Sequence, residues 1–486
     1  MKKIITILMI IAMLTPTTIW ATPPVFSGGV NNEYQYEEIV FLTGEPIKFV
    51  GTIDVSEKEK ETEKTTSYKF KLTSEDKSLD AKLDRTITLV TEYTKRDDKG
   101  QTIGQTAIDK YKETLKIGKD KYELEDYQLS KSEITDNRPA SDFYSGNLKG
   151  RKYYQVNKDE GEIIIDISGS DAGYKNFWGT TDTRTLHYDI TSKKEKSSWH
   201  GTVEIQTSDS QTKSLRYSNN EANLSSFNGG HIRVTESGMV SRYDYNLPDK
   251  DDDELNDRKR NKGRMELKQT MVPKLERLIL PKFKDVEGHW AGNAIKKLYS
   301  LDVFDEQSQF FTPNIPITRI EFTKAVIKAC NIRTSLEEPK KRRGKKEPEE
   351  VSLFKDVNAK DDSYKYIKDA VNKKIISGTS DDVFEPTEPL TRAQAITILI
   401  RALGFESKAP TSGYYMNFSD DNKIPNWARD SIYVAKEIGL IQGNSQNTVN
   451  PNKILTRAEA SSMLVSFLEF LEKDLQKDYR ENIINF

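Results

Sequence analysis

Cysteine is almost absent from this chain, since Cys330 is the only one in 486 residues. A single cysteine excludes a disulfide framework, and its place on an apolar helical pattern indicates a small core residue. No cysteine stands directly after the predicted cleavage site at Ala21, which argues against a lipid-anchored N-terminus. The C-terminal residues show neither a second hydrophobic segment nor a sortase-type sorting signal. We therefore expect an exported chain that is either released or held non-covalently.

An excess of charge of one sign is also lacking, because 74 Lys and Arg nearly balance 76 Asp and Glu, for a net charge of -2. This balance offers no electrostatic reason to expect nucleic acid or an anionic membrane as a partner. Charged residues make up 31% of the chain and the mean hydropathy is -0.71, whereas aromatic residues reach 9%. The composition is that of a hydrophilic but folded protein, and its length suggests two to four domains.

Patterns of known catalytic or metal-binding chemistry are missing too. None of His187, His200, His231 and His289 has metal-ligand spacing, and no Gly-x-Ser-x-Gly or Cys–His nucleophile arrangement occurs. No pair of carboxylates can be singled out as a glycosidase couple. We therefore predict no metal, no cofactor and no enzymatic activity.

The first residues are typical of a secretory signal peptide. Lys2 and Lys3 form a short positive region, the stretch Ile4–Leu14 is apolar, and Ala21 offers a small residue for cleavage. The apolar stretch is short for a membrane span, which needs about 20 residues. We assign residues 1–21 to a cleaved signal peptide and expect no membrane span after cleavage.

Residues 22–247 are predicted to be mainly antiparallel β-structure. Short alternating runs of Val, Ile, Thr and Tyr recur between turn signals such as Thr43–Pro46, and no ten-residue stretch has a convincing helical period. The pattern allows a sandwich, a barrel or an extended meander. The predicted strands are Tyr36–Leu42, Ile47–Ile53, Tyr68–Leu72, Ile87–Tyr93, Gly161–Ile167, Thr185–Ile190 and Thr202–Thr207.

Charged segments without apolar periodicity separate the candidate domains. Residues 248–282 include the block Asp249–Lys262, which lacks the glycine and terminal glutamate spacing of a calcium loop and is interpreted as a solvated linker. Residues 334–352 are predicted to be an exposed charged insertion, residues 407–416 a second linker and residues 476–486 a C-terminal tail.

The C-terminal part of the chain contains an internal repeat. Three passages place a proline five residues before a Thr-Arg pair, and an apolar helical stripe follows each of them. A shorter helical pattern that opens with Phe-x-Asp precedes each passage. Since one helix–loop–helix unit cannot bury both apolar stripes, three copies are expected to form a compact bundle with pseudo-threefold symmetry. The passages are Phe311-Thr312-Pro313 with Thr318-Arg319-Ile320-Glu321, Phe384-Glu385-Pro386 with Thr391-Arg392-Ala393-Gln394, and Val449-Asn450-Pro451 with Thr456-Arg457-Ala458-Glu459.

These three units resemble S-layer homology (SLH) domains. The family signature is a first helix with a tryptophan, a loop of Gly-x-x-x-(Asp/Gly)-x-Phe-x-Pro type, and Ile-Thr-Arg-Ala-Glu opening the second helix. The resemblance covers residues 283–333, 353–406 and 417–475 and does not extend to the β-rich half. It implies an all-α SLH triplet, a pseudo-trimeric spindle that binds secondary cell-wall polysaccharide non-covalently, often through a pyruvyl ketal on N-acetylmannosamine.

The Thr-x-x-Glu motif at each second helix is a capping box, in which the threonine and the acid satisfy each other's backbone N–H groups. Such a cap stabilises a helix by about 1 kcal/mol. The expected pairs are Thr318 with Glu321, Thr391 with Gln394 and Thr456 with Glu459.

An arginine follows each capping threonine, at a position where the helix dipole disfavours a cation. A carboxylate ligand would compensate, because free N–H groups of the first turn and the guanidinium would converge on it. The alternative is that Arg319, Arg392 and Arg457 pair with acids of the neighbouring unit and hold the three units together.

The three copies are not equivalent. The loop glycine is present as Gly378 and Gly443, whereas the first copy has Asp305 there and Ile320 where the motif has alanine. Because these changes would crowd or repel an anionic sugar, we expect weaker binding at Arg319 than at the other two arginines. Gln394 removes a charge that the motif places near Arg392.

Two tryptophans, in the first and third units, are placed either to stack on a sugar or to pack in the core. The predicted polysaccharide-binding residues are Arg319, Arg392, Arg457, Thr391, Thr456, Gln394, Glu459, Gly378, Gly443, Trp290 and Trp427, with Thr318 and Glu321 as helix-capping residues.

We therefore expect an exported surface protein, held at the cell wall by secondary cell-wall polysaccharide or another peptidoglycan-associated polymer. The β-rich half would then be a structural or interaction module. The main alternative is a wall-anchored enzyme that acts on polysaccharides through its β-rich half. A third interpretation is a subunit that self-assembles into a surface lattice.

Overall fold

The computed structural model covers most of the two predicted halves. The predicted signal peptide, most of the charged insertion 334–352 and all of the predicted tail lie outside the described residues. The structure describes residues 26–194, 197–218, 229–251, 254–278, 282–304, 308–332, 350–411 and 413–474.

The N-terminal half is one antiparallel meander. Its 14-stranded sheet runs from β1 to β13 in chain order, and β14 pairs with β12. Six of the seven predicted runs lie within strands that are longer than predicted, whereas the run Tyr36–Leu42 extends two residues past the strand observed there. The strands are β1 (Val30–Asn31), β2 (Tyr36–Val40), β3 (Ile47–Glu59), β4 (Glu63–Ser74), β5 (Ala81–Arg96), β6 (Gln101–Ile117), β7 (Asp120–Asn137), β8 (Ser141–Val156), β9 (Gly161–Asn176), β10 (Gly179–Lys194), β11 (Ser197–Ser218), β12 (Gly230–Asp251), β13 (Glu254–Thr270) and β14 (Lys274–Arg277).

The sheet curls until its first strand lies beside its last ones. Asn32 Nδ2 donates to Gln269 Oε1 over 2.7 Å, and the Val272 N–H donates to Glu33 Oε1 over 2.9 Å. The concave face encloses the core because side chains alternate along each strand, as in β5, where inward residues are buried and outward ones exposed. The buried segment 26–31 fills the interior.

The predicted charged linker 248–282 is wrong over most of its length. Glu254–Thr270 is a strand paired along β12, with a register shift between Pro248 and Asp249. Met265 and Leu267 of this strand pack against the core of the sheet, and the backbone ladder and charged pairs also stabilise the hairpin. Arg264 Nε donates to Asp244 Oδ1 over 2.6 Å in this way.

The C-terminal half is helical where the repeats were predicted. Each repeat has a first and a second helix, and the second helix of each packs on the first helix of the next, with α6 returning to α1. The helices are α1 (Gly292–Ser300), α2 (Arg319–Ala329), α3 (Tyr364–Asn372), α4 (Arg392–Leu403), α5 (Asn426–Glu437) and α6 (Arg457–Glu469). Cys330 is buried in their shared core, as predicted, and burial raises the pKa of its thiol.

The helices dock on one end of the curled sheet. Trp178, at the turn between β9 and β10, is 2% exposed and donates from Nε1 to the Ala329 carbonyl over 3.1 Å. The Ala140 N–H donates to the Ala402 carbonyl over 2.9 Å, and Phe143 packs on Phe405. The two halves therefore share one hydrophobic cluster. The predicted linker 407–416 overlaps a short turn, Glu406–Lys408.

Candidate functional site

The Phe-x-Asp motif clamps the loop that leads to each second helix. In every repeat the two carboxylate oxygens of this aspartate accept the backbone N–H groups of two consecutive loop residues, at distances between 2.6 and 2.9 Å. Sequence reasoning used this motif only to find the repeats and missed its role. The pairs are Asp285 with Phe311 and Thr312, Asp356 with Phe384 and Glu385, and Asp420 with Val449 and Asn450.

The three predicted capping boxes are confirmed. Each threonine accepts the N–H of the residue three positions on, and that residue's side chain accepts the threonine N–H. Glutamine performs this role as well as glutamate, because the contact needs an acceptor oxygen rather than a charge. The boxes are Thr318 with Glu321, Thr391 with Gln394 and Thr456 with Glu459.

The residues before the caps join the three repeats in a closed ring. The Ile317 N–H donates to the Leu455 carbonyl, Leu455 to Leu390, and Leu390 back to Ile317, over 2.9 to 3.0 Å. All three side chains are fully buried. The ring fixes the relative positions of the three helix starts.

The prediction of free N–H groups in the first turns is wrong. The N–H groups of Arg319, Arg392 and Arg457 donate to carbonyls of another repeat, at 2.9 to 3.0 Å, and so do those of the residues that follow them. The next N–H in each helix is taken by the capping threonine. The first three backbone N–H groups of each helix therefore have partners within the protein and are not available to bind an anion.

The three arginine side chains reach into a neighbouring repeat but have different surroundings. Arg457 lies over the Phe311 ring at 4.2 Å, bonds the Phe311 carbonyl, and has Glu321 Oε1 at 3.9 Å. Arg319 donates to the Ser377 carbonyl over 2.5 Å and lies 5.0 Å from the centre of the Phe384 ring.

Arg392 has the fewest polar contacts of the three. Its Nη1 lies 3.9 Å from the Met463 sulfur, and Val449 takes the place that an aromatic ring has in the other two repeats. Its guanidinium therefore has no ring to lie on.

Two of these arginines are cations without a close counter-ion. Among the described residues, no carboxylate lies within ion-pair distance of Arg319 or Arg392, and burial lowers the pKa of both guanidinium groups. Glu385 and Glu459 offset this effect only in part. A buried cation without a partner is costly, and a carboxylate ligand would supply the missing charge.

Four predicted site residues line one groove, the Arg319 groove. Arg319, Gly378, Gln394 and Trp427 border a cavity of about 340 Å³ between α2, the loop after α3, α4 and the start of α5. Thr397 lies in the same wall, is 3% exposed, and its hydroxyl has no partner among the described residues. Buried polar atoms normally have partners, so this groove is equipped for a polar ligand.

The loop glycines have a structural reason of their own. A Cβ at Gly378 would lie 2.4 Å from the Ser380 carbonyl oxygen, and one at Gly443 would lie 2.6 Å from Asn447 Oδ1. The loop therefore needs glycine for its own packing. Asp305, which replaces this glycine in the first repeat, lies outside the described residues.

Both predicted tryptophans are on the surface rather than in the core. Trp290 is 66% exposed and Trp427 is 52% exposed. Each tryptophan lies five residues before a buried isoleucine of the first helix, Ile295 or Ile432. In the second repeat the residue five positions before the equivalent Ile367 is Asp362, so this repeat has no tryptophan there. An exposed aromatic ring beside a polar cavity is suited to stacking on a sugar face.

The most deeply buried carboxylates of the sheet are held as ion pairs. Glu113 accepts from Nε and Nη2 of Arg85 at 2.9 and 3.0 Å, and Glu38 accepts from Nη1 at 2.8 Å. Burial would raise the pKa of Glu113, but Arg85 and Lys152 outweigh it and hold that pKa at about 2. The adjacent cavity measures only about 40 Å³.

Within the described ranges, no cluster of three or more His, Cys, Asp or Glu side chains is placed to hold a metal ion. No helix there combines the length and hydrophobicity that crossing a membrane requires.

Comparison with known proteins matches the helical half. A family model described as S-layer homology domain matches residues 282–323, 353–396 and 417–461. A surface-layer 125 kDa protein of Lysinibacillus sphaericus is 34% identical over 21% of this chain and 8% of its own length. A cellulosome-anchoring protein of Acetivibrio thermocellus is 32% identical over 20% of this chain and 22% of its own length.

An endoglucanase of Bacillus sp. (strain KSM-635) is 34% identical over 26% of this chain and 14% of its own length. The chain thus spans less than a quarter of each of these relatives. The matched segments coincide with the three helical repeats, each with its aspartate clamp, capping box and inward arginine. The chain therefore carries three S-layer homology domains and is a secreted protein of the cell surface.

Proposed function

We propose that the SLH domains hold this protein at the cell wall by binding a carboxylate-bearing sugar of a wall polysaccharide in the Arg319 groove. The observation that carries the proposal is the buried Arg319 guanidinium, which has no acid within ion-pair distance among the described residues. Among the described residues, its Nη2 donates to the Ser377 carbonyl and its buried Nε has no partner. A ligand carboxylate there would form a charge-assisted pair, which is stronger than a neutral hydrogen bond.

The three repeats are inferred to form a pseudo-threefold bundle. The ring of Ile317, Leu390 and Leu455 and the cyclic packing of second helices on first helices both support this arrangement. The same rotation would bring Arg392, Gly443 and Trp290 to the positions that Arg319, Gly378 and Trp427 have in the Arg319 groove, and so define a second groove. This second groove is proposed as a weaker site of the same kind.

We rank the grooves by expected affinity for a carboxylate ligand. The ranking depends on the third residue of the second helix that faces each arginine from the neighbouring repeat. Arg319 faces Gln394, whereas Arg392 is influenced by Glu459 and Arg457 has Glu321 at 3.9 Å. A protein carboxylate beside an arginine competes with a ligand carboxylate for the same charge. We therefore reverse the order expected from the motif alone and place the Arg319 groove first.

The β-rich half is proposed to be a non-enzymatic module. Glu38 and Glu113 are neutralised by Arg85, and the small cavity beside them leaves no room for a sugar. The name of the endoglucanase relative favours the opposite view, an enzyme displayed at the wall. Screening the full chain for hydrolysis of wall and plant polysaccharides separates the two, and hydrolysis would reject the non-enzymatic module.

The test of the groove is binding of the full chain to purified cell walls that carry pyruvyl ketals. Trp427→Ala removes an exposed ring and Arg319→Met removes the charge, and both are expected to weaken binding at least tenfold. The circular dichroism spectrum should not change, because Trp427 lies on the surface and Met fills the space of the Arg319 stem. Walls from which pyruvate has been removed should bind the wild type equally poorly.

Tyr415→Ala is the matched control, since Tyr415 is an aromatic residue of the third-repeat region that is 82% exposed and lies outside the groove. This variant should bind like the wild type. Undiminished binding of the wild type to walls without pyruvate would contradict the carboxylate mechanism.

A further inference from the structure

A second, larger cavity lies where the sheet meets the second SLH domain. This interdomain cleft measures about 930 Å³ and is bordered by the turns Asp97–Gly100 and Asn137–Asp142 of the sheet, by residues 372–374 and by the end of α4. Its size is within the range of ligand sites that hold most of a bound molecule. The turns belong to the β-rich half, which the SLH resemblance does not cover.

The interdomain cleft and the Arg319 groove are neighbouring cavities that share one lining residue. Arg401 borders both cavities. The chain segment after α3 forms a common wall, because residues 372–374 line the cleft and residues 375–379 line the groove. A polymer held in the groove by one sugar would therefore have its next sugars in the cleft.

The cleft carries more free positive than negative charge. Lys99, Lys373 and Lys374 line it, and none of them has an acid within ion-pair distance among the described residues. The other cationic side chains that line the cleft each form an ion pair. Arg138 pairs with Asp136 at 2.7 Å and Arg401 with Glu406 at 3.0 Å. Lys95 pairs with Glu61 at 3.2 Å.

Two of the acidic side chains that line the cleft, Asp98 and Asp142, have a cation nearby. Asp98 lies 3.4 Å from Arg96, and Asp142 accepts a hydrogen bond from Asn137 over 3.2 Å, with Lys373 close enough to influence it. Asp97 is a further acid that lines the cleft. Loops that meet at a domain junction and leave three lysines unpaired suit an anionic partner.

We propose that the interdomain cleft binds the stretch of wall polysaccharide next to the sugar in the Arg319 groove, through further carboxylate groups on that stretch. The inference rests on the proposed function of the groove and extends it to the β-rich half. The sheet would then be part of the wall-binding surface, and the contact would give longer polymer fragments a higher affinity than a single sugar.

The test compares a short probe with a long one on the full chain. The short probe is the methyl glycoside of pyruvylated N-acetylmannosamine, and the long probes are length-fractionated fragments of pyruvylated wall polysaccharide. The triple variant Lys99→Gln, Lys373→Gln and Lys374→Gln should bind the short probe like the wild type. Its affinity for long fragments should fall about tenfold, because three exposed charge pairs are lost and each contributes little. The affinity that remains should depend less on salt, since fewer charge pairs are left to be screened.

The matched control is Lys110→Gln, Lys112→Gln and Lys116→Gln, three exposed lysines of β6. They lie at least about 30 Å along the strand from Gln101, which borders the cleft. This variant should bind both probes like the wild type.

Equal loss of long-fragment affinity in both triple variants would overturn the cleft proposal, and so would no loss in either. Long fragments whose carboxylates have been reduced to alcohols should no longer distinguish wild type from the cleft variant, and a persisting difference would overturn the charge mechanism. Failure of the groove is seen separately, as absence of short-probe binding by the wild type.

Discussion

At the scale of single residues, three arginines at one sequence position have three different environments. Arg457 lies on an aromatic ring with Glu321 at 3.9 Å. Arg319 lies on a ring and Arg392 lies beside the Met463 sulfur, and among the described residues neither has a carboxylate within ion-pair distance. The differences come from single residues of the facing repeat, Val449 and Gln394 among them. A motif that is shared by three repeats therefore does not imply three equal sites.

Another residue, Asp209, makes the stability of the sheet depend on pH. Asp209 and Asp182 are directly opposite each other on β11 and β10, and like charges in such a pair are destabilising. Burial and Asp182 raise the pKa of Asp209 to about 6, although Arg184 lowers it. The folded state therefore holds this proton more tightly than the unfolded chain, and the stabilisation is lost as the pH rises through about 6.

Asp209→Asn should therefore raise the free energy of unfolding by about 1–2 kcal/mol above about pH 7. The difference should disappear below about pH 4, where Asp209 is protonated in both states. Denaturant unfolding followed by circular dichroism over this pH range measures it. Asp182→Asn is the control of opposite sign, because it removes the ion pair with Arg184. Equal stability of Asp209→Asn and wild type at pH 8 would contradict the assignment.

At the scale of elements, the start of each second helix joins two repeats. Its first two N–H groups bond carbonyls of another repeat and the third bonds the capping threonine. The side chain three residues after the cap then lies beside the arginine of a neighbouring repeat. Gln394 occupies this position in the Arg319 groove, whereas the other two helices have glutamate.

Gln394→Glu should keep the capping box, since glutamate performs this role in α2 and α6. The new carboxylate would lie beside Arg319 and compete with the ligand, so affinity for pyruvylated N-acetylmannosamine should fall about 3- to 10-fold. Isothermal titration measures the affinity, and thermal unfolding should show an unchanged or slightly higher midpoint.

The control is Glu459→Gln, which removes the acid that acts on Arg392 and should not weaken binding in the Arg319 groove. A Gln394→Glu variant that binds as tightly as the wild type would show that the charge at this position does not govern the groove.

At the scale of the whole molecule, the sheet and the SLH helices behave as one packed body. Trp178 inserts between them, and Ala140, Phe143 and Asn176 contact the ends of α4 and the segment after α6. The core of the helices therefore includes residues of the sheet. The SLH domains of this chain are covered at one end by the β-rich half.

Trp178→Ala should remove this coupling, at a cost of about 3–5 kcal/mol. Calorimetry of the wild type should show one main transition for sheet and helices, and the variant should show two. Trp199→Ala is the control, because Trp199 is 4% exposed within the core of the sheet alone. It should lower the stability of the sheet without separating the two halves, and two transitions in the wild type would contradict the coupling.

Local chemistry explains what the sequence predicted well. The capping boxes, the six helices and the buried Cys330 follow from spacing within a few residues, because hydrogen bonds at a helix start and one apolar stripe are local. The predicted β-strands likewise follow from alternation along single segments. The strand Glu254–Thr270 was missed because charged residues dominate its first part, whereas its pairing with β12 depends on a distant segment of the chain.

What the sequence by itself determined is the helices of the repeats, seven of the strands, the threefold repeat and the export of a surface protein with SLH domains. Only the tertiary structure decided which arginine meets an acid, that the first-turn N–H groups are used up between repeats, and that Arg319 shares a groove with Gly378 and Trp427. The physical reason is that these contacts join residues of different repeats, whose distance and burial depend on packing rather than on spacing along the chain.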